Sequence, residues 1–456
     1  MRRALSLIAS AVLLAPALGA QEAAAPLSVD SLFRPGTKVA YVGMPKAKLT
    51  WASDGTLVAT ERGKDGIAFQ KVDPKTWKRT PLFDAGRLKA ALVAAGADEK
   101  AALAALGSGQ FRWNATRSAF VLSVADDLYL VDLATVQARR LTMAPGEEIE
   151  PTFSPDGAKV AFLRGSDLYV VTTADAKETR LTTGGDETHL NGRLDWVYQE
   201  EVYGRGDFKG FWWAPDSSKL AYLSLDESKV PVYTLADDRA FSQKLLQARY
   251  PKAGDPNPVA RLGVVDLSGR TTWTPDPYNG AETLIVRVDW TPKGQLMAAW
   301  MNRIQTWLDL RTYGGADNGY ASKVLIHEQT KAWVDTEHTS LPLFLKDGSF
   351  LWQSDRTGHH HLYRYAPDGT LMGAITAGDW DVRELFGVDE QGKHVYFAAD
   401  ARSPIGLDAY RADLGKAPNA GMTLLTPKPG THRLRFDPRF RYALDTWSDI
   451  HTPAQL

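Results

Sequence analysis

Two adjacent glutamates, Glu200 and Glu201, lie in the segment Asp195-Trp-Val-Tyr-Gln-Glu-Glu-Val-Tyr203. Two neighbouring carboxylates suit a ligand with a fixed positive charge, and a neutral ligand would not explain them. A peptide α-amino group has a pKa of about 8 and is largely cationic at neutral pH. Two carboxylates can share its N–H donors in charge-assisted hydrogen bonds. The pair therefore predicts a site for a cationic amine.

The same pair has a plainer interpretation, as two solvated side chains on a surface helix. Adjacent residues of a helix point about 100° apart, so both reach one small ligand only near a helix end or in a tight pocket. Four aromatic residues lie close by in sequence, which is unusual for a fully solvated helix: Trp196, Tyr198, Tyr203 and Phe208. This aromatic frame weakens the solvated-helix interpretation, which stays open.

No nucleophile for hydrolysis is predicted. The sequence has no Gly-x-Ser-x-Gly elbow and no serine in the strand–turn–helix context that would expose one. The run His359-His360-His361 resembles a metal site only superficially, because consecutive side chains of a strand point to alternate faces. Glycine-rich phosphate loops, metalloprotease helices and calcium loops are also absent from the sequence. We therefore predict no catalytic residue, no metal and no cofactor in this chain.

Composition narrows the class of partner. The chain has 456 residues, a formal net charge of −1 and no cysteine. A near-neutral chain lacks the electrostatic footprint of a nucleic-acid-binding protein. The absence of cysteine excludes disulfides, thiolate catalysis and cysteine metal sites.

Residues 1–20 have the pattern of a secretory signal peptide. Arg2 and Arg3 precede an apolar run that ends at Leu18, and small residues lead up to Gln21. A membrane anchor needs roughly 20 apolar residues, and this run is shorter. We expect cleavage, no stable membrane anchor and a secreted or periplasmic protein.

From Ala47 onward, short apolar strands alternate with Asp-Gly and Pro-Asp turns, which is typical of an all-β array. Residues 112–142 match residues 152–182 at an offset of 40, and both copies end in Arg-Leu-Thr. Four strands in about 40 residues is the size of one propeller blade. The other turn signatures begin at Trp51, Trp213, Trp290, Phe344, Phe386 and Phe436.

These signatures predict an all-β fold, an eight-bladed β-propeller over residues 47–456 with helical insertions. A segment at residues 21–46, with a short helix over Leu27–Phe33, precedes it. Three stretches interrupt the blade spacing. Asp84–Leu106 predicts one or two helices, residues 189–209 hold the acidic pair, and residues 237–258 predict a helix over 239–249.

The segment 195–202 resembles the double-glutamate signature of the dipeptidyl peptidase IV family of serine peptidases. Tyr-Pro-Lys-Ala-Gly-Asp-Pro-Asn-Pro at 250–258 is similar to a second hallmark of that family. The stretches 211–216 and 354–363 also fall in the family's order. The resemblance extends from Leu27 to the C-terminus.

The resemblance implies an eight-bladed propeller that caps a C-terminal α/β-hydrolase domain carrying a Ser-Asp-His triad. In that family two glutamates bind the free N-terminus of a peptide and so measure two residues to the scissile bond, usually after proline or alanine. Carried over by motif, Glu200 and Glu201 are that anchor. The hydrolase domain is absent from this chain, so we expect a propeller that ends before it. Neither Arg139 nor Arg140 fits the family's substrate-carbonyl arginine, which stays unassigned.

The expected function is therefore that of the substrate-gating propeller of an exported serine-type dipeptidyl peptidase IV-like enzyme that releases Xaa-Pro or Xaa-Ala dipeptides. Two alternatives stay open. One is a prolyl tripeptidyl peptidase, which uses the same propeller, and the other is a non-catalytic periplasmic propeller that binds peptides or proteins. The expected partners are a peptide N-terminus and the hydrolase domain of the complete protein. Family members often dimerise, so a homodimer is a further expectation.

Overall fold

The computed structural model describes residues 28–33, 47–63, 66–239, 241–278, 282–336 and 341–456. The predicted signal peptide at residues 1–20 lies outside the described residues. The chain divides into two compact units, Met1–Gly43 and Met44–Leu456. The first contains the helix α1 (Val29–Phe33), as the sequence predicts. No helix among the described residues has the length and apolar character needed to cross a membrane.

The second unit is a β-propeller of antiparallel sheets, which we number as blades in chain order. Blade 1 contains β1 (Ala47–Trp51), β2 (Leu57–Gly63), β3 (Gly66–Val72) and β4 (Arg79–Pro81). The helices α2 (Ala85–Ala94) and α3 (Glu99–Ser108) follow. Blade 2 contains β5 (Arg112–Trp113), β6 (Ala119–Val124), β7 (Asp127–Asp132) and β8 (Gln137–Arg140). Blade 3 contains β9 (Glu148–Phe153), β10 (Lys159–Arg164), β11 (Asp167–Thr172) and β12 (Glu178–Arg180).

Blade 4 is the irregular one. It contains β13 (His189–Asn191), β14 (Phe211–Trp213) and β15 (Lys219–Asp226), then β18 (Val259–Asp266) and β19 (Thr271–Trp273), with a separate hairpin of β16 (Val232–Asp237) and β17 (Lys244–Arg249) between them. Blade 5 contains β20 (Thr283–Trp290), β21 (Leu296–Asn302), β22 (Trp307–Tyr313) and β23 (Ser322–Gln329), with a 3-10 turn at Ala316–Asn318.

The last two blades are regular. Blade 6 contains β24 (Leu343–Phe344), β25 (Phe350–Ser354), β26 (His361–Tyr365) and β27 (Leu371–Ala374). Blade 7 contains β28 (Val382–Asp389), β29 (His394–Ala399), β30 (Asp408–Asp413) and β31 (Thr423–Leu424). A final hairpin contains β32 (Thr431–Phe436) and β33 (Ala443–Ser448).

The propeller has seven blades, so the prediction of eight is wrong by one. The signature at Phe436 marks the turn of the hairpin β32–β33, and no further described strand extends that hairpin into a blade. A turn signature predicts two paired strands, but it does not predict whether further strands complete a four-stranded blade. The hairpin contacts blade 7 through β30 and blade 1 through β1. Trp51 Nε1 donates to the Arg435 carbonyl at 3.0 Å, which joins the two ends of the ring.

Tryptophans at the turn signatures link neighbouring blades. Trp213 Nε1 donates to the Thr152 carbonyl at 3.2 Å, which connects blade 4 to blade 3. Trp290 Nε1 donates to the Trp212 carbonyl at 3.1 Å, which connects blade 5 to blade 4. Each indole thus buries its ring while its single N–H finds an acceptor, as buried tryptophans require.

The repeated Arg-Leu-Thr triplet closes the outer edge of a blade through what we call the threonine latch. The Oγ1 of Thr142 accepts from Leu128 N at 2.8 Å, and that of Thr182 accepts from Leu168 N at 2.9 Å. The threonine thereby ties the end of the fourth strand to the start of the third. The same bond recurs in blades 6 and 7, from Leu362 N to Thr376 and from Ala409 N to Thr426.

The predicted alanine- and leucine-rich helices are confirmed, and they lie between blades 1 and 2. Asp84 and Asp98 cap α2 and α3 by accepting backbone N–H groups at 3.0 and 2.9 Å. Leu88 and Leu92 of α2 are completely buried against the sheets.

The helix predicted over residues 239–249 is wrong. Residues 244–249 are the strand β17, which pairs with β16 in a register that places Leu235 opposite Leu246. Lysine, leucine, glutamine and alanine are good helix formers, but differences in intrinsic propensity amount to less than about 1 kcal/mol per residue and tertiary context overrides them. Cross-strand pairing with the β-prone Val-Tyr-Thr sequence of β16 outweighs that preference.

Candidate functional site

The acidic pair lies on an excursion from the inner edge of blade 4. Both β13 and β14 pair with the single strand β15, so the first strand of this blade is split in two. Residues 193–209 leave and re-enter the sheet between the halves, and we call them the acid-pair segment. Its two ends meet where Gly210 N donates to the Gly192 carbonyl at 2.8 Å.

Two glycines make that meeting possible. Gly192 has a φ of +77°, a left-handed conformation that side chains other than glycine adopt reluctantly. A Cβ added at Gly210 would lie 2.9 Å from Leu194 Cδ2 and 3.1 Å from the Gly192 carbonyl oxygen. Side chains at either position would therefore separate the two ends of the segment.

A helical turn within the segment carries both glutamates. The buried Asp195 caps it, because its carboxylate accepts Val197 N at 3.2 Å and Tyr198 N at 3.1 Å. Burial raises the pKa of Asp195. The turn widens to a π-helix over Tyr198–Val202, with Tyr203 N donating to the Tyr198 carbonyl at 2.8 Å. Single π-turns are frequent at functional sites.

Two tyrosines fix this turn to the next blade. The Tyr198 hydroxyl accepts from Ile285 N at 3.2 Å, and the Tyr203 hydroxyl donates to the Ile285 carbonyl at 3.2 Å. β20 is the edge strand of blade 5 and, among the described strands, pairs only with β21, so backbone groups on its other side are open to the tyrosines. Burial raises the pKa of both hydroxyls, so they remain neutral. The acid-pair turn is thus held at two points.

Arg287 adds a third attachment. Its Nη1 donates to the Val202 carbonyl at 2.8 Å and its Nη2 donates to the Thr336 carbonyl at 2.8 Å. Its guanidinium lies 5.7 Å from the centroid of the Tyr203 ring. The C-terminal end of the turn is therefore held by a side chain from blade 5.

The two glutamates differ in environment. The side chain of Glu200 is 17% exposed, whereas Glu201 is exposed. Arg205 forms an ion pair with Glu200, with Nε at 2.6 Å from Oε1, and this contact raises the pKa of Arg205. Arg205 lies between Gly204 and Gly206, both with positive φ, and its own side chain is almost entirely exposed. A cation already occupies one side of the acidic pair.

A cavity of about 810 Å³ adjoins the segment and is lined by the inner strands of blades 2 to 5. Arg205 lines it, together with Asp207 and Lys209 of the same segment. Aromatic residues form much of its wall: Phe111, Trp113, Phe153, Trp212 and Trp213. The cavity thus combines aromatic surface with charges of both signs.

A second cavity, of about 650 Å³, is lined by other residues of the acid-pair segment, among them Arg193, Trp196 and Gln199. Glu227 lines it, is only 8% exposed and accepts no hydrogen bond at its carboxylate from any described residue. Burial, together with the nearby Asp195, raises the pKa of Glu227 to about 7, although Arg249 and Arg193 oppose the rise.

The histidine run lies at the start of β26, and the three side chains have different partners. His359 Nδ1 lies 3.1 Å from Asp381, His360 Nδ1 lies 2.8 Å from Asp355, and His361 contacts Thr376. Within the described part of the chain, no group of three or more acidic, histidine or cysteine side chains is placed to hold a metal ion.

Sequence reasoning left the substrate-facing arginine unassigned, and the structure places its two candidates away from the acidic pair. Arg140 forms an ion pair with Asp127 at 2.5 Å, and Arg139 donates to the Thr173 carbonyl at 3.2 Å. Sequence analysis missed Arg205, Lys209 and Glu227. The Gly-Arg-Gly sequence at 204–206 was the one available signal, because flanking glycines expose a side chain on a tight turn.

Residues 111–454 match the family described as the dipeptidyl peptidase IV (DPP IV) N-terminal region. Dipeptidyl peptidase 4 from Arthroderma otae is 31% identical over 262 residues, which are 54% of this chain and 33% of that protein. Inactive dipeptidyl peptidase 10 from Rattus norvegicus is 29% identical over 273 residues, which are 56% of this chain and 34% of that protein. The chain spans about a third of the length of these curated relatives.

Solved structures match over more of the chain. Porphyromonas gingivalis dipeptidyl peptidase 4 superposes with a TM-score of 0.76 and 25% identity, covering 91% of this chain and 58% of that one. A putative dipeptidyl aminopeptidase IV from Bacteroides ovatus superposes with a TM-score of 0.68 at 21% identity, with the same coverage, and so is similar in fold.

Proposed function

This chain belongs to the family of dipeptidyl peptidase IV N-terminal regions, and we propose that it is the substrate-gating propeller of an exported serine-type dipeptidyl peptidase. In this role Glu200 and Glu201 bind the free N-terminus of a peptide, from which the complete protein releases Xaa-Pro or Xaa-Ala dipeptides. One observation supports the proposal most: both glutamates lie on a turn that two tyrosines fix to the Ile285 backbone of the next blade.

The geometry suits an ammonium group for three reasons. Glu201 is exposed and Glu200 is half-buried, so carboxylate oxygens face solvent from consecutive positions of one turn. The tyrosines and Arg287 hold that turn rigid, which keeps the ordering cost of binding low. Arg205 is the cation that an incoming amine displaces or joins, and its exposed, glycine-flanked position lets it move aside.

A fixed cation site explains dipeptide release. The nucleophile belongs to the α/β-hydrolase domain that we expect in the complete protein. If its serine lies at a fixed distance from Glu200 and Glu201, only a bond at one spacing from the N-terminus reaches it. Positioning of this kind converts a general peptide-bond chemistry into release of a defined fragment.

The test is made on the complete enzyme, with chromogenic Ala-Pro and Ala-Ala-Pro amides. We expect Glu200→Gln and Glu201→Gln each to lower kcat/KM for the Ala-Pro amide. The loss of transition-state stabilisation should be about 2–5 kcal/mol, the range for breaking a charge contact that is buried in the complex. Glu147→Gln is the matched control, because Glu147 is the exposed member of another Glu-Glu pair. Wild-type rates in both acid-pair variants would refute the anchor, and faster cleavage after three residues would favour the tripeptidyl alternative.

A non-catalytic peptide-binding propeller is the second candidate, since one similar protein is named an inactive dipeptidyl peptidase. Residues 21–456, produced alone, separate the two. We expect a cooperative thermal melt and no hydrolysis of the Ala-Pro amide by this chain. Turnover that follows the protein through purification would contradict the assignment of the nucleophile to another domain.

Export is also proposed, on the composition of residues 1–20. The expected result is an intact mass for the native protein that corresponds to a start at Gln21 in a periplasmic or secreted fraction. A mass that includes residues 1–20 would contradict it.

A homodimer is proposed through the hairpin β16–β17. Among the described residues this hairpin forms a two-stranded sheet of its own, and it exposes six large apolar side chains: Val232, Tyr233, Leu235, Phe241, Leu245 and Leu246. Leu235 and Leu246 are directly opposite in the strand register and so share one face of the hairpin, and contiguous exposed apolar surface typically marks a protein interface. We expect Leu235→Asp to convert a dimer to a monomer in light scattering, whereas Leu103→Asp, at an exposed leucine of α3, leaves the mass unchanged. A wild-type monomer would refute the proposal.

A further inference from the structure

The cavity between the inner strands of blades 2 to 5 contains a lysine whose charge has no ion-pair partner. Lys209 lines this cavity, and no described carboxylate oxygen lies within 4.0 Å of its Nζ. Its nearest aromatic contact is the Phe211 ring, with the ammonium 5.8 Å from the centroid. Burial lowers the pKa of Lys209, although Asp207, Glu150 and Asp289 oppose that effect from a distance. Lys209 is half-buried, and withdrawing an ammonium from water without a partner is costly.

The same cavity contains a carboxylate in the complementary situation. Asp289, at the end of β20, accepts one hydrogen bond among the described residues, from Trp290 N at 2.8 Å. Burial raises the pKa of Asp289, and Lys209 lowers it without touching it. Lys209 and Asp289 therefore face one cavity with opposite charges and do not satisfy each other.

The other charged groups of this cavity are already engaged. Arg112 pairs with Glu150 at 3.4 Å, Arg205 pairs with Glu200, and the guanidinium of Arg117 stacks 5.4 Å from the centroid of the Trp113 ring. Asp207 accepts the backbone N–H of Lys209 at 3.1 Å and, unlike Asp289, is exposed, so solvent partners its carboxylate. A ligand entering the cavity would meet Lys209 and Asp289 as the groups that gain most from it.

We propose that this cavity is a second binding site, for a zwitterionic dipeptide. The carboxylate of the dipeptide binds Lys209, its ammonium binds Asp289, and its side chains contact the indoles of Trp113, Trp212 and Trp213. A cavity of about 810 Å³ is within the usual range for small-ligand sites. Charge-assisted hydrogen bonds at both ends are stronger than neutral ones, and they would partner both half-buried charges at once.

The site is distinct from the acidic pair, because neither Glu200 nor Glu201 lines the cavity. Arg205 is the residue that contacts both. The choice of a dipeptide rests on the proposed function, since that reaction produces one. The unpaired charges of Lys209 and Asp289 are independent of the proposed function.

The test is isothermal titration of the whole chain with Ala-Pro, in a Glu200→Gln/Glu201→Gln background that removes the acidic pair. We expect Ala-Pro to bind that double variant. Capping either end, as Ala-Pro-amide or N-acetyl-Ala-Pro, should weaken binding at least about tenfold, because each cap removes one of the two charge contacts.

Substitutions in the same background identify the residues. Lys209→Met and Asp289→Asn should each weaken Ala-Pro binding at least about tenfold, while Lys177→Met, at an exposed lysine of blade 3, leaves it unchanged. Lys209→Met removes a half-buried charge that has no ion-pair partner and should not lower the melting temperature, which separates lost binding from lost folding.

The proposal is overturned by absence of Ala-Pro binding, by equal binding of the capped dipeptides, or by full binding in Lys209→Met or Asp289→Asn. Binding that survives Lys209→Met would place the carboxylate on Arg205, which the double variant releases. Failure of the acidic pair in the proposed function would leave Ala-Pro binding in this background unaffected, so the two proposals fail separately.

Discussion

Blades 2 and 3 differ from blade 4 in how their buried charges are partnered. In blade 3, Asp167 accepts from Arg180 at 2.6 Å, from Thr182 at 2.7 Å and from Asn191 at 3.0 Å. In and around blade 4, Glu227 accepts no described hydrogen bond and Lys209 has no ion-pair partner. The carboxylate of Asp167 is thus fully partnered by neighbouring side chains, whereas Glu227 and Lys209 have no such partners among the described residues.

This difference in the partners of charged residues follows from how the strands of each blade pair. A complete blade puts each polar residue opposite a fixed partner on the next strand, and the threonine latch repeats that arrangement. Blade 4 splits its first strand to admit residues 193–209, so side chains on the excursion have no partner set by the repeat. Buried polar groups without partners are uncommon in native proteins, and they tend to mark functional sites.

The largest expected loss of stability comes from removing Asp167, the fully partnered carboxylate of blade 3. Asp167→Ala removes the carboxylate that accepts from Thr182, Asn191 and Arg180, and we expect it to lower the free energy of unfolding by about 3 kcal/mol. Asp127→Ala is the matched control in blade 2, because Asp127 accepts from Arg140 while Thr142 donates instead to Glu148. It should cost about 1 kcal/mol. Urea unfolding measures the loss of stability in both variants. Equal losses would contradict the claim that the partners of Asp167 contribute more than those of Asp127.

The next effect concerns Glu227, on the unpartnered side. Its pKa is raised from 4.5 to about 7 in the folded protein, so folding favours the protonated form. The stability that protonation contributes is present below pH 4.5 and is lost as the pH rises through about 7. Glu227→Gln should therefore stabilise the protein by about 3 kcal/mol at pH 8 and have little effect at pH 4.5. A variant with wild-type unfolding midpoints at both pH values would contradict the unpaired carboxylate.

His361 tests the threonine latch in blade 6, and its contribution to stability is lost as the pH falls, whereas that of Glu227 is lost as the pH rises. It occupies the position of Asp167 in blade 3, with Nδ1 3.1 Å from Thr376 Oγ1 and Nε2 3.0 Å from the Gly378 carbonyl. The carbonyl requires Nε2 to donate, so Nδ1 accepts from the threonine and the ring is neutral. Burial lowers the pKa of His361 below 6.5.

Stability from a neutral His361 is therefore present above pH 6.5 and is lost as the pH falls through the folded pKa. One proton contributes at most about 1.4 kcal/mol per pH unit. His361→Gln retains a donor and an acceptor, and it should remove this share of the acid-side slope while keeping stability at pH 8. The free energy of unfolding is measured by urea titration at several pH values between pH 4 and 7. If its dependence on pH were the same in His361→Gln as in the wild type, the latch role would be refuted.

The smallest expected effect is at Arg205, where the acidic pair is partly satisfied. Arg205 is almost entirely exposed, so its ion pair with Glu200 is screened by solvent. Arg205→Ala removes a cation that competes with the peptide amine, and it should raise the affinity for Ala-Pro-amide about two- to fivefold. A fall in affinity would mean that Arg205 instead contacts the peptide directly.

The regular part of the fold could be predicted from the sequence because it repeats. The offset between residues 112–142 and 152–182 identified blades 2 and 3, and the tryptophan turn signatures identified the starts of most others. The eighth blade was wrong because a signature at Phe436 also occurs on a two-stranded hairpin. The helix over 239–249 was wrong because strand pairing with Val232–Asp237 is not visible in local propensity.

The sequence singles out the acidic pair but not its surroundings. Glu200 and Glu201 are adjacent in sequence, so a joint role can be proposed without knowledge of the fold. The contacts that hold them come from far away, such as the Ile285 backbone and Arg287 of blade 5. Lys209 and Asp289 share a cavity only because blades 4 and 5 bring them to it.

The most direct test of the acidic pair is a titration of the whole chain with Ala-Pro-amide and with N-acetyl-Ala-Pro-amide. Both ligands lack a free carboxylate, so neither satisfies Lys209. We predict that the free amine binds at least about tenfold more tightly than the acetylated ligand, and that Glu200→Gln or Glu201→Gln abolishes the difference. Equal affinity of the two ligands for the wild-type chain would contradict an N-terminus anchor at Glu200 and Glu201.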